Sequence, residues 1–179
     1  PEGQTPALHR MGGAQWDKVR SKAKKSIEEL AEKLLKVYAD REVAEGIAFL
    51  PDTAEQSEFE DTFPFVETDD QIEAIEAVKR AMERPRPMDM LVCGDVGFGK
   101  TEVAMRAVFK CVMSGYQAMV LCPTTVLSSQ HYKTFTDRMD AFGVNTAILN
   151  RFTTAKEKKE ILEKLASGEL DVVIGTHAV

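Results

Sequence analysis

Eight consecutive residues, Gly94-Asp95-Val96-Gly97-Phe98-Gly99-Lys100-Thr101, constrain this chain more than any other stretch. They fit G-x-x-x-x-G-K-[ST], the P-loop that cradles a chain of phosphates. The glycines let the backbone curl until successive N–H groups face one concavity. The helix that follows adds unpaired N–H groups and its dipole to the same anion site. Lys100 supplies a mobile positive charge for the β- and γ-phosphates, and Thr101 a hydroxyl for Mg2+. Four fixed positions should match by composition in fewer than about one such chain in a hundred. Asp95, Val96, Phe98 and Glu102 complete the candidate nucleotide contacts.

The motif demands a buried strand before it and a helix after it, and the sequence offers both. Met90-Leu91-Val92-Cys93 is a short apolar run of the kind that crosses a sheet covered on both faces. A helix is expected over 100–114, with Gly115 as its stop. Helix and strand patterns then alternate: strands over 118–122, 146–149 and 171–174, helices over 126–142 and 155–166. A further helix over 68–83 precedes the loop and ends before Pro85 and Pro87. Strands interleaved with helices predict an α/β fold with a parallel sheet and right-handed crossovers.

Ahead of this lobe stands a long amphipathic helix. Trp16, Val19, Ala23, Ile27, Leu30, Leu34, Val37 and Tyr38 recur every three or four residues, with Lys and Glu between them. Residues 1–13 read as a linker or the end of a preceding domain, 14–46 as a long helix that either lies on its own domain's core or is a connector helix between two domains, and 47–179 as the lobe itself. The start at Pro1 suggests a chain cut from something longer, and Pro1-Glu2-Gly3-Gln4 carries no signal-peptide pattern. The formal charge of −6 is unevenly spread: +1 over 1–46, −7 over 47–87 and 0 over 88–179. The acidity thus sits in one stretch, and a DNA footprint elsewhere is neither demanded nor excluded. Asp52, Glu55, Glu58, Glu60 and Asp61 are expected on a solvated loop or weak short helix, pinned by Phe59, Phe63 and Phe65. Cys93, Cys111 and Cys122 lack metal-ligand spacing and read as reduced, buried residues of a cytoplasmic protein. No apolar run is long enough for a bilayer span.

Other candidates lie at strand ends and helix starts. Thr68-x-x-Gln71 is a capping box. Gln71 also suits adenine, because an amide donates to and accepts from its Hoogsteen edge together. Phe65, with Phe63 as a competitor, is the ring partner that a resemblance to superfamily 2 helicases implies at this place. Thr124, Thr125 and Gln130 follow a strand, where hydroxyls and a helix N-terminus can hold a phosphodiester. Thr176 and His177 follow another strand, the edge at which open α/β sheets bind ligands. Arg151 either contacts DNA or closes a loop, and Thr154-x-x-Glu157 is a second capping box.

Taken together, GDVGFGKT, Pro123-Thr124-Thr125, Gln130-His131-Tyr132 and Gly175-Thr176-His177 resemble the first RecA-like motor lobe of the RecG-like helicases and translocases. The leading segment narrows this. Leu8-His9-Arg10-Met11-Gly12-Gly13-x-x-Trp16, Leu34-Leu35-x-x-Tyr38-Ala39-x-Arg41, Gly46-x-Ala48-Phe49 and Asn150-Arg151-Phe152 resemble the bacterial transcription-repair coupling factor family. The resemblance implies an ATP- and Mg2+-dependent double-stranded DNA translocase of helicase superfamily 2. Its partners would be stalled RNA polymerase and nucleotide-excision repair proteins. It assigns catalytic roles to Lys100 and Thr101, metal binding to Thr101, and DNA contact to Thr124, Thr125, Gln130, Arg151, Thr176 and His177. The alternatives are a RecG-like DNA helicase lobe, or a non-catalytic interaction module that keeps its P-loop as a folding element.

The family's acidic D-E-x-H/Q box does not occur in these 179 residues, and neither does a second lobe with its arginine finger. Such a finger is worth about 10³–10⁵ in rate. The chain alone is therefore expected to bind nucleotide and hydrolyse it negligibly.

Overall fold

The computed structural model describes residues 14–177. The linker expected over 1–13 and the residues Leu8–Gly13 lie outside the described residues. The chain divides into two compact units between Glu45 and Gly46.

The first unit is the helix α1 (Ala14–Val43), 30 residues long, or about 45 Å at 1.5 Å per residue. Its polar face carries i,i+4 pairs, Lys24–Glu28 at 3.7 Å and Lys25–Glu29 at 3.9 Å. Arg41 lies over the Tyr38 ring at 5.7 Å. Its apolar stripe is exposed, from Val19 through Ile27, Leu30 and Leu34 to Val37.

The second unit holds α2 (Ala54–Asp61), α3 (Asp69–Met82), α4 (Lys100–Met113), β1 (Ala118–Leu121), α5 (Thr125–Met139), β2 (Thr146–Leu149), α6 (Ala155–Ser167) and β3 (Val172–Gly175). The strands are parallel in the order β1-β3-β2, with Leu121, Gly175 and Leu149 in register at their C-terminal ends. β3 is central and buried at every position. Its side chains alternate between the two faces, as strand geometry requires. Val172 and Ile174 join Met105, Phe109, Phe135 and Met139 of α4 and α5 on one face, and Val173 joins Leu149 and Leu170 on the other. Phe59 of α2 completes the first cluster, stacked on Phe109 at 4.1 Å. α3 packs beside α4 through Ile75, Val78, Met82 and Val103.

Four of these helices begin the same way. Thr53, Thr68, Thr124 and Thr154 each accept a hydrogen bond from a backbone N–H in the first turn of the helix that follows. Both expected capping boxes form, at Thr68/Gln71 and Thr154/Glu157.

Three expectations need correction. Residues 90–93 form no ladder with the sheet, so the described residues contain three strands rather than four. Leu91 is 86% exposed, whereas Val92 packs against the α3–α4 cluster. An apolar run specifies burial, but a strand also needs a lateral neighbour for its backbone groups, and β1, β2 and β3 pair only with one another. Cys93 on that segment is consequently exposed; Cys122 is buried and Cys111 half-buried, with burial pushing both of the latter thiols up. Finally, of the two forms expected for the acidic stretch the short helix is the one present, but it is neither solvated throughout nor without basic neighbours. Residues 54–61 are helical, Phe59 is fully buried, and Asp52 and Glu60 are ion-paired; Phe65, in contrast, is 71% exposed and anchors nothing.

Candidate nucleotide and nucleic-acid site

β1 starts just beyond the end of α4, so α4 runs back along the sheet and its first turn emerges at the strands' C-terminal edge. The glycine-rich turn of the 94–101 motif leads directly into it. Gly97 and Gly99 adopt φ of +86° and +73°, the left-handed region that costs other residues about 1–2 kcal/mol. At Gly99 space matters too: a Cβ there would collide with Gln71 Nε2. α4 differs from the threonine-capped helices in having no side chain on its N-terminal N–H groups. Lys100 folds back over the turn, its Nζ donating to the carbonyls of Gly94 at 2.5 Å and Asp95 at 2.6 Å. A cation resting on carbonyl oxygens beside uncapped N–H donors is a donor set that fits a polyphosphate, whose oxygens would replace those carbonyls as the partners of Lys100. Val96 and Phe98 point to solvent, 98% and 65% exposed.

The base-recognition candidates are adjacent. Gln71 Oε1 accepts from the Thr68 N–H at 2.9 Å, and its Nε2 donates to the Phe98 carbonyl at 3.0 Å. One side chain thus ties the start of α3 to the P-loop. Phe65 is exposed and meets Phe63 edge-on at 5.5 Å. Glu102 is placed differently from the expectation of a nucleotide contact. Its carboxylate is buried and held by Arg106 Nε at 2.9 Å and Arg138 Nη1 at 2.9 Å.

Glu102 opens a charged cluster that sequence reasoning missed. Arg106 also pairs with Glu67 and, at 3.5 Å, with Glu60. Lys110 donates to Asp52 at 2.7 Å and Glu83 at 2.8 Å, and Lys79 pairs with Asp52 and Glu60. Burial opposes charge on Arg106 and Lys110, but their carboxylate partners outweigh it and raise both above their ordinary values. Burial likewise opposes charge on Asp52, and the hydrogen bonds from Lys110 and Lys79 overcome it and lower its pKa; Glu67 is lowered chiefly by its hydrogen bond from Arg106. The available signal was Glu102, Arg106 and Lys110 at four-residue spacing on a helix whose neighbours are apolar, set against an upstream stretch of −7.

The DNA-contact candidates come together at the same sheet edge. Parallel pairing puts Thr124 after β1, Thr176 after β3 and Arg151 after β2 on one side. The Cys122 N–H donates to the Gly175 carbonyl at 2.7 Å and the Thr176 N–H to the Leu149 carbonyl at 3.2 Å, which closes the three strand ends into one surface. Thr124, Gln130, Arg151 and His177 are exposed, Thr125 is half-buried and Thr176 is 8% exposed. Thr124 caps α5 by accepting from the Leu127 N–H at 3.2 Å. The Arg151 guanidinium lies over Phe152 at 4.8 Å. Among the described residues no His, Cys, Asp and Glu group could hold a metal ion by itself, and no helix is long and apolar enough to cross a membrane.

Residues 68–179 match the family model of the DEAD/DEAH box helicases. The transcription-repair-coupling factor of Bacillus subtilis is 48% identical over 98% of this chain, and that of Mycobacterium tuberculosis is 51% identical over 98%. The chain spans only 15% and 14% of those two proteins. A solved structure of RecG bound to a three-way DNA junction covers 80% of the chain, and 20% of its own length is matched, with a TM-score of 0.74 and 36% identity. A hypothetical ATP-dependent RNA helicase from Sulfolobus tokodaii shares the fold, at a TM-score of 0.51 and 17% identity over 69% of this chain and 34% of its own. The expected α/β, RecA-like P-loop lobe is therefore the fold observed, and the chain belongs to the DEAD/DEAH box helicase family.

Proposed function

We propose that this chain is the ATP-binding part of a double-stranded DNA translocase that couples stalled transcription to nucleotide-excision repair. The observation that carries the reading is the P-loop turn: two left-handed glycines, an uncapped α4 and Lys100 folded over the carbonyls of Gly94 and Asp95. The N–H groups from Gly97 to Thr101 would hold the phosphates, Lys100 would neutralise the β- and γ-phosphate charge, and the Thr101 hydroxyl would hold Mg2+. When bound, Mg2+ would screen the phosphate charge. Gln71 and Phe65 take the adenine, which requires Gln71 Nε2 to leave the Phe98 carbonyl. Gly94, Asp95, Val96, Phe98 and Thr68 shape the pocket, while Glu102 contributes its place in the first turn of α4.

Thr124, Thr125, Gln130, Arg151, Thr176 and His177 form a track for the DNA backbone along the sheet edge. Its position beside the P-loop offers a path by which nucleotide occupancy alters grip on DNA. The higher identity to the coupling factors, over nearly the whole chain, favours this reading over a RecG-like lobe. RNA polymerase and repair proteins would meet other parts of such a protein, which would work in the cytoplasm.

Thermal unfolding with nucleotide tests the reading. At 100 times its dissociation constant ATP should add about 2.7 kcal/mol, raising Tm by about 5–10 °C for a chain of this size. GTP should do less, and Lys100→Ala should abolish the shift. Equal shifts with Lys100→Ala would overturn it. No Asp-Glu pair occurs in the sequence, and ATP turnover by the chain alone should match that of Lys100→Ala.

A further inference from the structure

The loop joining α2 to α3 carries Phe63, Phe65 and Glu67 between the candidate base site and the charged cluster. Among the described residues, no main-chain to main-chain hydrogen bond holds residues 64–67. Side chains hold the loop instead. The Phe63 ring lies against the guanidiniums of Arg106 at 5.6 Å and Arg138 at 5.8 Å, with Phe65 resting edge-on upon it. Glu67 pairs with Arg106. Arg106 is itself fixed, with its side chain 5% exposed and its Nε on Glu102, which Arg138 holds from the other side. It sits on the helix that begins with the P-loop, six residues after Lys100, or about 9 Å along the axis. Glu67 in turn directly precedes Thr68, the cap of the helix carrying Gln71.

We propose that the Glu67–Arg106 ion pair is a strut that sets the base-recognising loop at a fixed distance from the phosphate cradle, so that Glu67 is a positioning residue for nucleotide selectivity. This rests on the ATP-binding reading above. The rigid body is α4: one end curls around phosphate, and the middle grips the loop that presents Phe65 and Thr68. Without the pair, the cradle keeps its shape while the loop loses its attachment. Base recognition then weakens and phosphate recognition does not. A pair serving only stability would weaken both together, through the folded fraction.

Glu67 is the partner to change. Its side chain is 27% exposed, and neutralising it leaves Arg106 with Glu60 and Glu102. The full 179-residue chain is titrated calorimetrically with ATP, GTP and inorganic tripolyphosphate in the presence of Mg2+. Glu67→Gln should weaken ATP about tenfold, or 1.4 kcal/mol, shrink the preference for ATP over GTP, and leave tripolyphosphate affinity unchanged. Glu67→Ala, which also removes the acceptor, should deepen the same split. A parallel loss of ATP and tripolyphosphate, or no loss of either, overturns the strut while the ATP reading stands. A wild-type chain that binds tripolyphosphate no better than its Lys100→Ala variant overturns both.

Discussion

Helices α4 and α6 are nearly equal in length, at 14 and 13 residues, and both carry acidic and basic side chains. They use their charges in opposite ways. On α6 the acids and bases face solvent and pair along the helix, Lys156–Glu160 at 3.8 Å and Lys159–Glu163 at 3.7 Å. On α4, Glu102, Arg106 and Lys110 are buried and pair with residues far away in sequence. The starts differ as well: α6 has a complete capping box, and α4 has none. α6 carries seven charged side chains and α4 four, but what sets their use apart is where the partners sit. The helix whose first turn has no side-chain cap is the one anchored through its middle by buried ion pairs. The closed helix needs no such anchor.

The sharpest way to break this comparison is to remove one buried charge. Arg106→Met takes the cation from Glu67 and leaves Glu60 with Lys79 alone and buried Glu102 with Arg138 alone, and breaking a buried pair costs about 3–5 kcal/mol. Urea denaturation should show a loss of that size. A change below about 1 kcal/mol would mean that the cluster is solvated after all. Acid should find the same weakness. Asp52 and Glu67 sit below their ordinary values of 3.8 and 4.5, so their contribution is full above those values and disappears as pH falls through the lowered native ones. Glu157 of α6 shares the direction, its carboxylate lowered by hydrogen bonds from the Thr154 N–H and hydroxyl. Lys110 is raised above 10.5, so its contribution is full below that value and is lost as pH climbs through the raised one. As far as these groups decide it, the urea midpoint should therefore hold from about pH 5 to about pH 10 and fall on both sides, with Arg106→Met flattening the acid limb.

Much of the pattern was legible from residue types and spacing. The P-loop announces itself because few residue types tolerate its backbone, and Gly97 and Gly99 do adopt the left-handed region. The capping boxes at Thr68 and Thr154 are local, so four residues suffice to specify them. What was not legible depends on distant partners. Residues 90–93 are apolar like a buried strand, but pairing is decided by a neighbour that a linear pattern does not name. Phe65 resembles a core anchor by type alone, yet the Phe63 ring beside it takes the inward place against two arginines. The acids of 51–67 look unpaired because Arg106 and Lys110 lie about 50 residues downstream. Local legibility predicts a local cost. Thr154→Ala should destabilise the lobe by about 1 kcal/mol, as loss of an N-cap does. In the same variant the Glu157 carboxyl should move up toward 4.5, observable by NMR titration. A loss as large as that of Arg106→Met would show α6 to be an anchor and would erase the contrast.

The smallest effect carries the comparison to its limit. Lys159 and Glu163 are 78% and 65% exposed and 3.7 Å apart, a pair of the kind worth about 0.3–0.5 kcal/mol. Lys159→Gln should lower stability by no more than that, and the difference should disappear in 1 M NaCl, where screening acts within about 3 Å. The Arg106→Met loss should survive the same salt, because buried pairs are screened much less. If both losses faded equally, the two helices would be using their charges alike. The open start of α4 would then need an anchor other than its ion pairs.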